Sequence, residues 1–193
     1  MSASHEFLIP TFGGSLETEA RVAGCPEDGL VKGMFFSAIA DEASRGGQPV
    51  GRERYVPFRG YSLREWLEFL PEAARAAHPS AHAKEGMRRF GHNAFGVFTT
   101  SMAGRVLFSM AGRNLSLAIS LSTRAFDVIG SHGSVRTLTN EPGRAVLALR
   151  GMWDYVDAWH VGIYEGALRA FGIDGDVRIR MHDLSNGDIE LRY

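Results

Sequence analysis

The chain has 193 residues, 45% of them hydrophobic and 22% charged, with 21 basic against 22 acidic side chains and one cysteine. That length and composition suit one soluble domain with a sizeable core, and a net charge of -1 speaks against a nucleic-acid or anionic-membrane role. Cys25 alone closes no internal disulfide, no apolar run approaches the roughly 20 residues that span a bilayer, and the opening Met-Ser-Ala-Ser-His-Glu lacks the regions of a signal peptide, so a cytoplasmic protein is expected.

Residues 1–28 read as a mixed or partly extended N-terminal extension, and residues 29–193 as one domain. The first firm element runs from Gly29 to Ala43, where Val31, Phe35, Ile39 and Ala43 repeat at helical spacing behind the acidic Glu27 and Asp28. Ser44 to Gly60 is a loop, with an extended piece at Tyr55-Val56-Pro57. Its glycine-rich Gly46-Gly47-Gln48-Pro49-Val50-Gly51 has no Lys-Ser/Thr and precedes no helix, so it is not a phosphate loop. Ser62-Leu63-Arg64-Glu65 is a capping box, stapled by Tyr61 and Trp66, opening a helix to about Ala77. A second helix spans roughly Ala81 to Ala103, with Gly104 as its stop. Gly86, Gly91 and Gly96 weaken it by about 1 kcal/mol each relative to alanine, which points to close approach of another backbone.

Asn114 to Ile129 carries both an alternating and a helical pattern; its length favours a helix. From Ser134 the chain reads strand, turn, strand, long helix, strand, turn, strand. The hairpin pairs Val135–Thr139 with Arg144–Leu149. The helix runs from Asp154 to Phe171, and the closing strands Val177–Met181 and Ile189–Tyr193 flank a turn at Asn186-Gly187. Both closing strands alternate apolar with charged residues, as half-buried antiparallel strands do. Asn-Gly is a strong hairpin cue because both turn positions take positive φ.

Several short motifs carry a resemblance: Gly29-Leu30-Val31-Lys32-Gly33, then Glu65-Trp66-Leu67, Arg89-Phe90-Gly91, Gly104-Arg105 and the terminal ββαββ block. With these the chain resembles an uncharacterised protein family expanded in myxobacteria. That family is in turn similar to the superfamily of heme–nitric-oxide-binding (H-NOX) domains, TRAPP vesicle-tethering subunits and four-vinyl-reductase-type domains. The resemblance implies an α+β fold, with N-terminal helices packed on an antiparallel sheet. It further implies a small hydrophobic ligand, or a protein partner, held between helices and sheet.

Heme is disfavoured on the residues. H-NOX domains ligate iron through a histidine and hold the propionates with Tyr-x-Ser-x-Arg. Here only His132, between glycines, stands at a comparable place, and Arg150-Gly151-Met152-Trp153-Asp154-Tyr155-Val156-Asp157 lacks the motif. Cys25, compared with the acylated cysteine of some TRAPP subunits, has no basic neighbour in sequence that would lower its pKa. His78 and His82 have metal-chelating spacing, but Pro79 breaks the helix that would align them. Asp154 and Asp157 read as helix-start carboxylates, and His160 as a hydrogen-bonded core histidine. No catalytic or metal site is expected.

The candidate ligand-binding residues are Phe35, Phe36, Trp66, Phe90, Phe95, Phe98, Phe108, Trp159 and His160, with Trp153 as a further wall. The expected function is a non-enzymatic regulatory or sensory domain binding a small hydrophobic ligand. The alternative is a ligand-free interaction or dimerisation module, with Asn114–Leu121 as its apolar surface. Self-association would use the edge left by a terminal strand.

Overall fold

In a computed structural model that describes residues 6–112 and 114–193, the chain is an α+β domain in which helices stand on one face of a four-stranded antiparallel sheet. Residues 1–5, part of the expected extension and of the sequence judged against signal peptides, lie outside the described residues. The rest of the extension combines irregular chain with a helix. It contains α1 (Thr18–Gly24), whose Arg21 is buried and bonds the carbonyls of Leu16, Trp153 and Leu184. The guanidinium also meets Asp157 at 3.4 Å, so α1 is docked on the domain rather than hanging from it.

The first helix starts later than its periodicity indicates. Leu30–Lys32 is a short strand, β1, paired antiparallel with β2 (Gly60–Ser62), and the helix α2 runs Gly33–Arg45. The pairing Val31↔Tyr61 pulls the first residues into extended form and sets the starts of α2 and α3 (Leu63–Ala77) side by side. Ser62 caps α3 by accepting from Arg64 N at 3.2 Å. Glu65 does not complete the box; it takes a two-point ion pair from Arg52, with both contacts at 2.7 Å.

Pro71 lies inside α3 and has no N–H for the carbonyl four residues back. The freed Leu67 carbonyl accepts instead from the Tyr155 hydroxyl, at 2.7 Å in the buried core. Tyr155 has φ 55°, the left-handed conformation that a bulky side chain adopts only under tertiary constraint. The Thr18 hydroxyl, 3.0 Å away, completes the chain by donating to the Tyr155 oxygen.

The second long helix is two helices. α4 (Ala83–Thr100) ends where Ser101 turns extended, and Ser101 then caps α5 (Met102–Ser109) by accepting from Gly104 N at 3.1 Å. Gly104 is therefore no stop. It sits inside α5 against the Phe98 carbonyl, where no Cβ would fit. α6 (Leu115–Ile129) is helical as its length favours, capped by Asn114. The glycines of α4 divide: Gly86 abuts Ala74 of α3, and Gly91 abuts Trp159 and Gly162, whereas Gly96 faces open space.

Strands β3 (Ser134–Glu141) and β4 (Arg144–Arg150) form the hairpin, and β5 (Asp176–Met181) and β6 (Gly187–Arg192) close the chain in the spatial order β3-β4-β6-β5. The terminal strand is interior, so it leaves no edge. The β5 edge is covered in part by a bridge between Leu8 and Ile179. The closing turn spans 182–186, with Asp183 accepting from the backbone N–H groups of Ser185 and Asn186, and Gly187 already pairs within β6. Side-chain capping by Asp183 replaces the two-residue Asn-Gly turn.

The acidic residues of β6 are not solvated. Asp188 and Glu190 are each 1% exposed. Arg150 and Arg180 each approach Asp188 at 2.7 Å, and Arg144 and Arg192 reach Glu190 at 2.7 and 2.8 Å. Arginine stems thus roof the outer face of the sheet.

The inner face packs under α7 (Val161–Ala170), which a π-helical turn at Val156–His160 precedes. One core gathers Phe36, Trp66, Leu67 and Trp159 among the helices; the other gathers Leu147, Leu149, Ile189 and Tyr164 against the sheet.

The Tyr155–Leu67 bond yields a thermodynamic cycle. Tyr155→Phe strands a buried carbonyl and should cost about 1–3 kcal/mol in urea unfolding. In a Pro71→Ala background the restored N–H satisfies that carbonyl, so the same substitution should cost measurably less. Equal costs in both backgrounds would show that the hydroxyl does not serve the proline gap.

Candidate functional site

An apolar cavity of about 50 Å³ lies at the seam between the two cores. Four helices and one strand enclose it, together with Phe35 of α2. α4 gives Ala94, Phe95 and Phe98, and α5 gives Phe108. α6 contributes Leu115, Ala118, Ile119, Ser122, Ala125, Phe126 and Ile129, while α7 and β6 add Ile163, Tyr164, Ala167 and Leu191. Small residues on α6 and α7 leave the space that the phenylalanines of α4 and α5 do not fill. Phe95 and Phe98 both meet the Phe108 ring edge-on, at 5.5 and 6.0 Å.

The wall holds one polar irregularity. Tyr164 is buried, and its hydroxyl completes no hydrogen bond. Its neighbour Ser122 donates to the Ile119 carbonyl at 2.6 Å. Burial pushes the Tyr164 phenol far up, with Ser122 pulling weakly the other way, so the hydroxyl stays protonated. An unsatisfied hydroxyl on an otherwise apolar wall is costly unless something pairs with it.

Beneath this cavity is a second, smaller chamber of about 20 Å³, lined by Phe35, Trp66, Phe126, Ile129, His132, Asp154 and Trp159 among others. Asp154 is a buried carboxylate, with His160 Nε2 at 2.7 Å and His132 Nε2 at 3.4 Å from the same oxygen. Burial alone would raise the Asp154 carboxyl, but the charges of His160 and His132 outweigh it and hold the group well below the usual carboxylate range. For His132, burial pulls downward, and the Asp154 charge, its oxygen and the Leu30 carbonyl overcome it, leaving the imidazole above its ordinary value. Neither nitrogen of His132 makes a well-formed hydrogen bond, and Trp66 Nε1 has no acceptor.

The structure sorts the residues singled out from sequence. Phe35, Phe95, Phe98 and Phe108 line the apolar cavity, and Trp66 and Trp159 line the chamber. His160 stands behind both, on Asp154 and against Phe126 with ring centres 5.4 Å apart. Phe36 is elsewhere, in an aromatic cluster with Tyr55, Trp66 and Phe69 at 4.7–5.0 Å. Phe90 packs against His78 and reaches only a surface groove. Trp153 leans on Gly24 of α1, away from the cavity.

The residues missed are those of α6, together with Tyr164, His132 and Asp154. The helical face Leu115, Ile119, Ser122, Phe126 was present as an i, i+4, i+7, i+11 series, but nothing local says which apolar face borders a void. Of the acidic and histidine candidates, Asp157 is held by Arg21 and by Lys84 at 2.6 Å. His82 caps α4 while His78 ends α3. Among the described residues no cluster of three or more His, Cys, Asp or Glu side chains is arranged to hold a metal ion.

Linkage gives the buried pair a pH signature. A lowered Asp154 adds stability above its unfolded value of about 3.9, lost only in strong acid; a raised His132 adds stability present below about 6.5 and lost as pH climbs through its folded value. The contribution is therefore complete between about pH 4 and 6.5. The melting temperature should decline from about pH 6 to about pH 8, and His132→Gln should flatten that decline. A wild-type melting temperature that is level across the interval would contradict the pairing.

H-NOX proteins are among the solved structures with a similar fold. The H-NOX protein from K. algicida in its Fe(II) unliganded form is 10% identical, with a TM-score of 0.55 over 83% of this chain and 95% of that one. The S. oneidensis H-NOX protein in the Fe(II)NO state is 12% identical, with a TM-score of 0.58 over 83% and 98%. An oxygen-binding H-NOX domain related to soluble guanylate cyclases is 13% identical, with a TM-score of 0.54 over 83% and 90%. No curated protein matches the sequence. A porphyrin does not fit the residues here: the cavity walls hold no histidine, cysteine, methionine or cation. The Tyr-x-Ser-x-Arg pattern is absent from Arg150 to Trp159, and Tyr155 in that stretch serves Leu67. Over residues 26–192 the sequence matches the family described as "Protein of unknown function (DUF2378)", and the chain belongs to that family.

Proposed function

We propose that the protein is a non-enzymatic regulatory or sensory domain that takes a small hydrophobic ligand into the seam between its helical and sheet cores. The observation that carries this reading is the apolar cavity with the unpaired Tyr164 hydroxyl on its wall. The H-NOX neighbours lend support by analogy, since their names record iron states with nitric oxide or oxygen bound. The ligand here is of a different kind, because the heme fit fails.

At about 50 Å³ the cavity is smaller than the roughly 150 Å³ apolar void that admits benzene. The closed form thus corresponds to a ligand-free state, and binding requires a wall to move. α5 is the wall least tied to the core: Gly104 is its single buried residue. Met102, Val106 and Met110, spaced four apart on and just beyond α5, are 71, 69 and 69% exposed. A ligand entering under Phe108 would displace α5 and with it this apolar stripe, which converts occupancy into a change of surface.

The same stripe favours a second reading, an interaction or self-association module in the manner of TRAPP subunits. The apolar surface then lies on α5 instead of Asn114–Leu121, since Leu115, Ile119 and Leu121 are buried.

The first reading is tested with the neutral apolar probe N-phenyl-1-naphthylamine. Ala125→Leu fills the cavity from α6 and should weaken probe binding by about tenfold, roughly 1.4 kcal/mol, with the far-UV circular dichroism unchanged. Unaltered affinity, or no binding to the wild-type protein, overturns the cavity as the ligand site.

A further inference from the structure

Resting on that reading of the cavity, we infer that the ligand is amphipathic, with an apolar body in the α4–α7 cavity and a carbonyl or carboxylate head in the chamber beside Trp66 and His132. The two spaces share three walls, Phe35, Phe126 and Ile129. Phe126 is only partly buried and rests on His160 and Tyr164 through ring contacts at 5.4 and 6.5 Å. A change of its rotamer joins an apolar space to a polar end.

The polar end specifies the head. Trp66 is fully buried and its Nε1–H, a donor with no acceptor capacity, finds no partner. His132 Nε2 stands 3.4 Å from Asp154 and also lacks a well-formed bond. The only carboxylate lining the chamber, Asp154, already faces both imidazoles, with His160 at 2.7 Å. The buried polar atoms of the chamber lining without a partner are thus the Trp66 Nε1–H donor and the His132 ring nitrogens. An oxygen head accepts from the Trp66 N–H; an ammonium head, which can only donate, leaves it unpaired. At about 20 Å³ the closed chamber has room for one water, which needs about 10–15 Å³. A lone structural water is the competing occupant.

Three probes of equal chain length separate these outcomes by competition against N-phenyl-1-naphthylamine: octanoate, 2-octanone and octylamine. The wild-type protein should bind octanoate and 2-octanone at least about tenfold more tightly than octylamine. Trp66→Phe, which removes the N–H and keeps an aromatic ring, should abolish most of that preference while the naphthylamine affinity stays the same. Equal affinities for the three heads on the wild-type protein would overturn the inference and leave the chamber to water, as would failure of all three to compete. A preference that survives Trp66→Phe would equally overturn the assignment of the head to this chamber. In each of these cases retained, Ala125→Leu-sensitive naphthylamine binding keeps the apolar site itself standing. Loss of that binding would remove the cavity reading first. The ranking on the wild-type protein needs no variant, so a misfolded Trp66→Phe does not shield the inference.

Discussion

The structure depends on a charge buried where its two halves meet. Asp154 lies between the end of β4 and the start of the π-helical turn, enclosed by apolar side chains, and it is tolerable there because two imidazoles face it. His132 comes from the connection between α6 and β3, and its other contact is the Leu30 carbonyl on β1, so one carboxylate fixes three separate stretches of chain. Tyr155 follows directly in a left-handed conformation and sends its hydroxyl across to the proline gap in α3. Helical core and sheet core are thus joined by polar contacts at a few points, while apolar side chains fill the space between. A seam of this kind is where packing is most easily left incomplete.

Glycine decides how closed the seam is. Gly91 of α4 meets Gly162 of α7 backbone to backbone, and Gly166 lies against the His92 carbonyl, leaving no room for a Cβ at either crossing. Charge reinforces the same pair of helices, for Glu165 takes His92 and Arg88 at 2.6 Å each. That side of the cavity is rigid by construction. The opposite side, α5, has no comparable anchor among the described residues: Ser101 caps it, and exposed methionines take the place of a second packed layer. The contrast between a fixed wall and a loosely held one makes an expandable cavity the physical expectation, and it supplies a route by which occupancy is felt at the surface.

Much of the fold was legible in the sequence because its signals are local. Ser62 caps α3, the 134–193 alternation gives the ββαββ block, and the length of 114–129 gives α6. The departures have tertiary causes. β1 takes residues from a helical run because Val31 pairs with Tyr61, thirty positions away. Asp188 and Glu190 look solvated in an alternating strand, yet arginines from β4, β5 and β6 itself roof them. Asn186-Gly187 looks like a two-residue turn, but Asp183 holds a longer one. The aromatic content announced a large core without dividing it. Phe36 and Phe98 share a composition signal, and only the crossing of α2 with α3 sends one into a packed cluster while the other borders a void. His132, between two glycines, reads as a turn residue, and only the fold brings Asp154 to it.

Native mass spectrometry of protein purified from its own cells, with an absorption spectrum of the same sample, addresses the central claim most directly. A sensor built on the seam cavity should carry a retained small molecule of a few hundred daltons or less, with no Soret band. A clean ligand-free mass in every preparation, or a Soret band, would contradict it: the first would leave the α5 stripe as the functional surface, and the second would mean that a porphyrin binds despite walls without a histidine, cysteine or methionine.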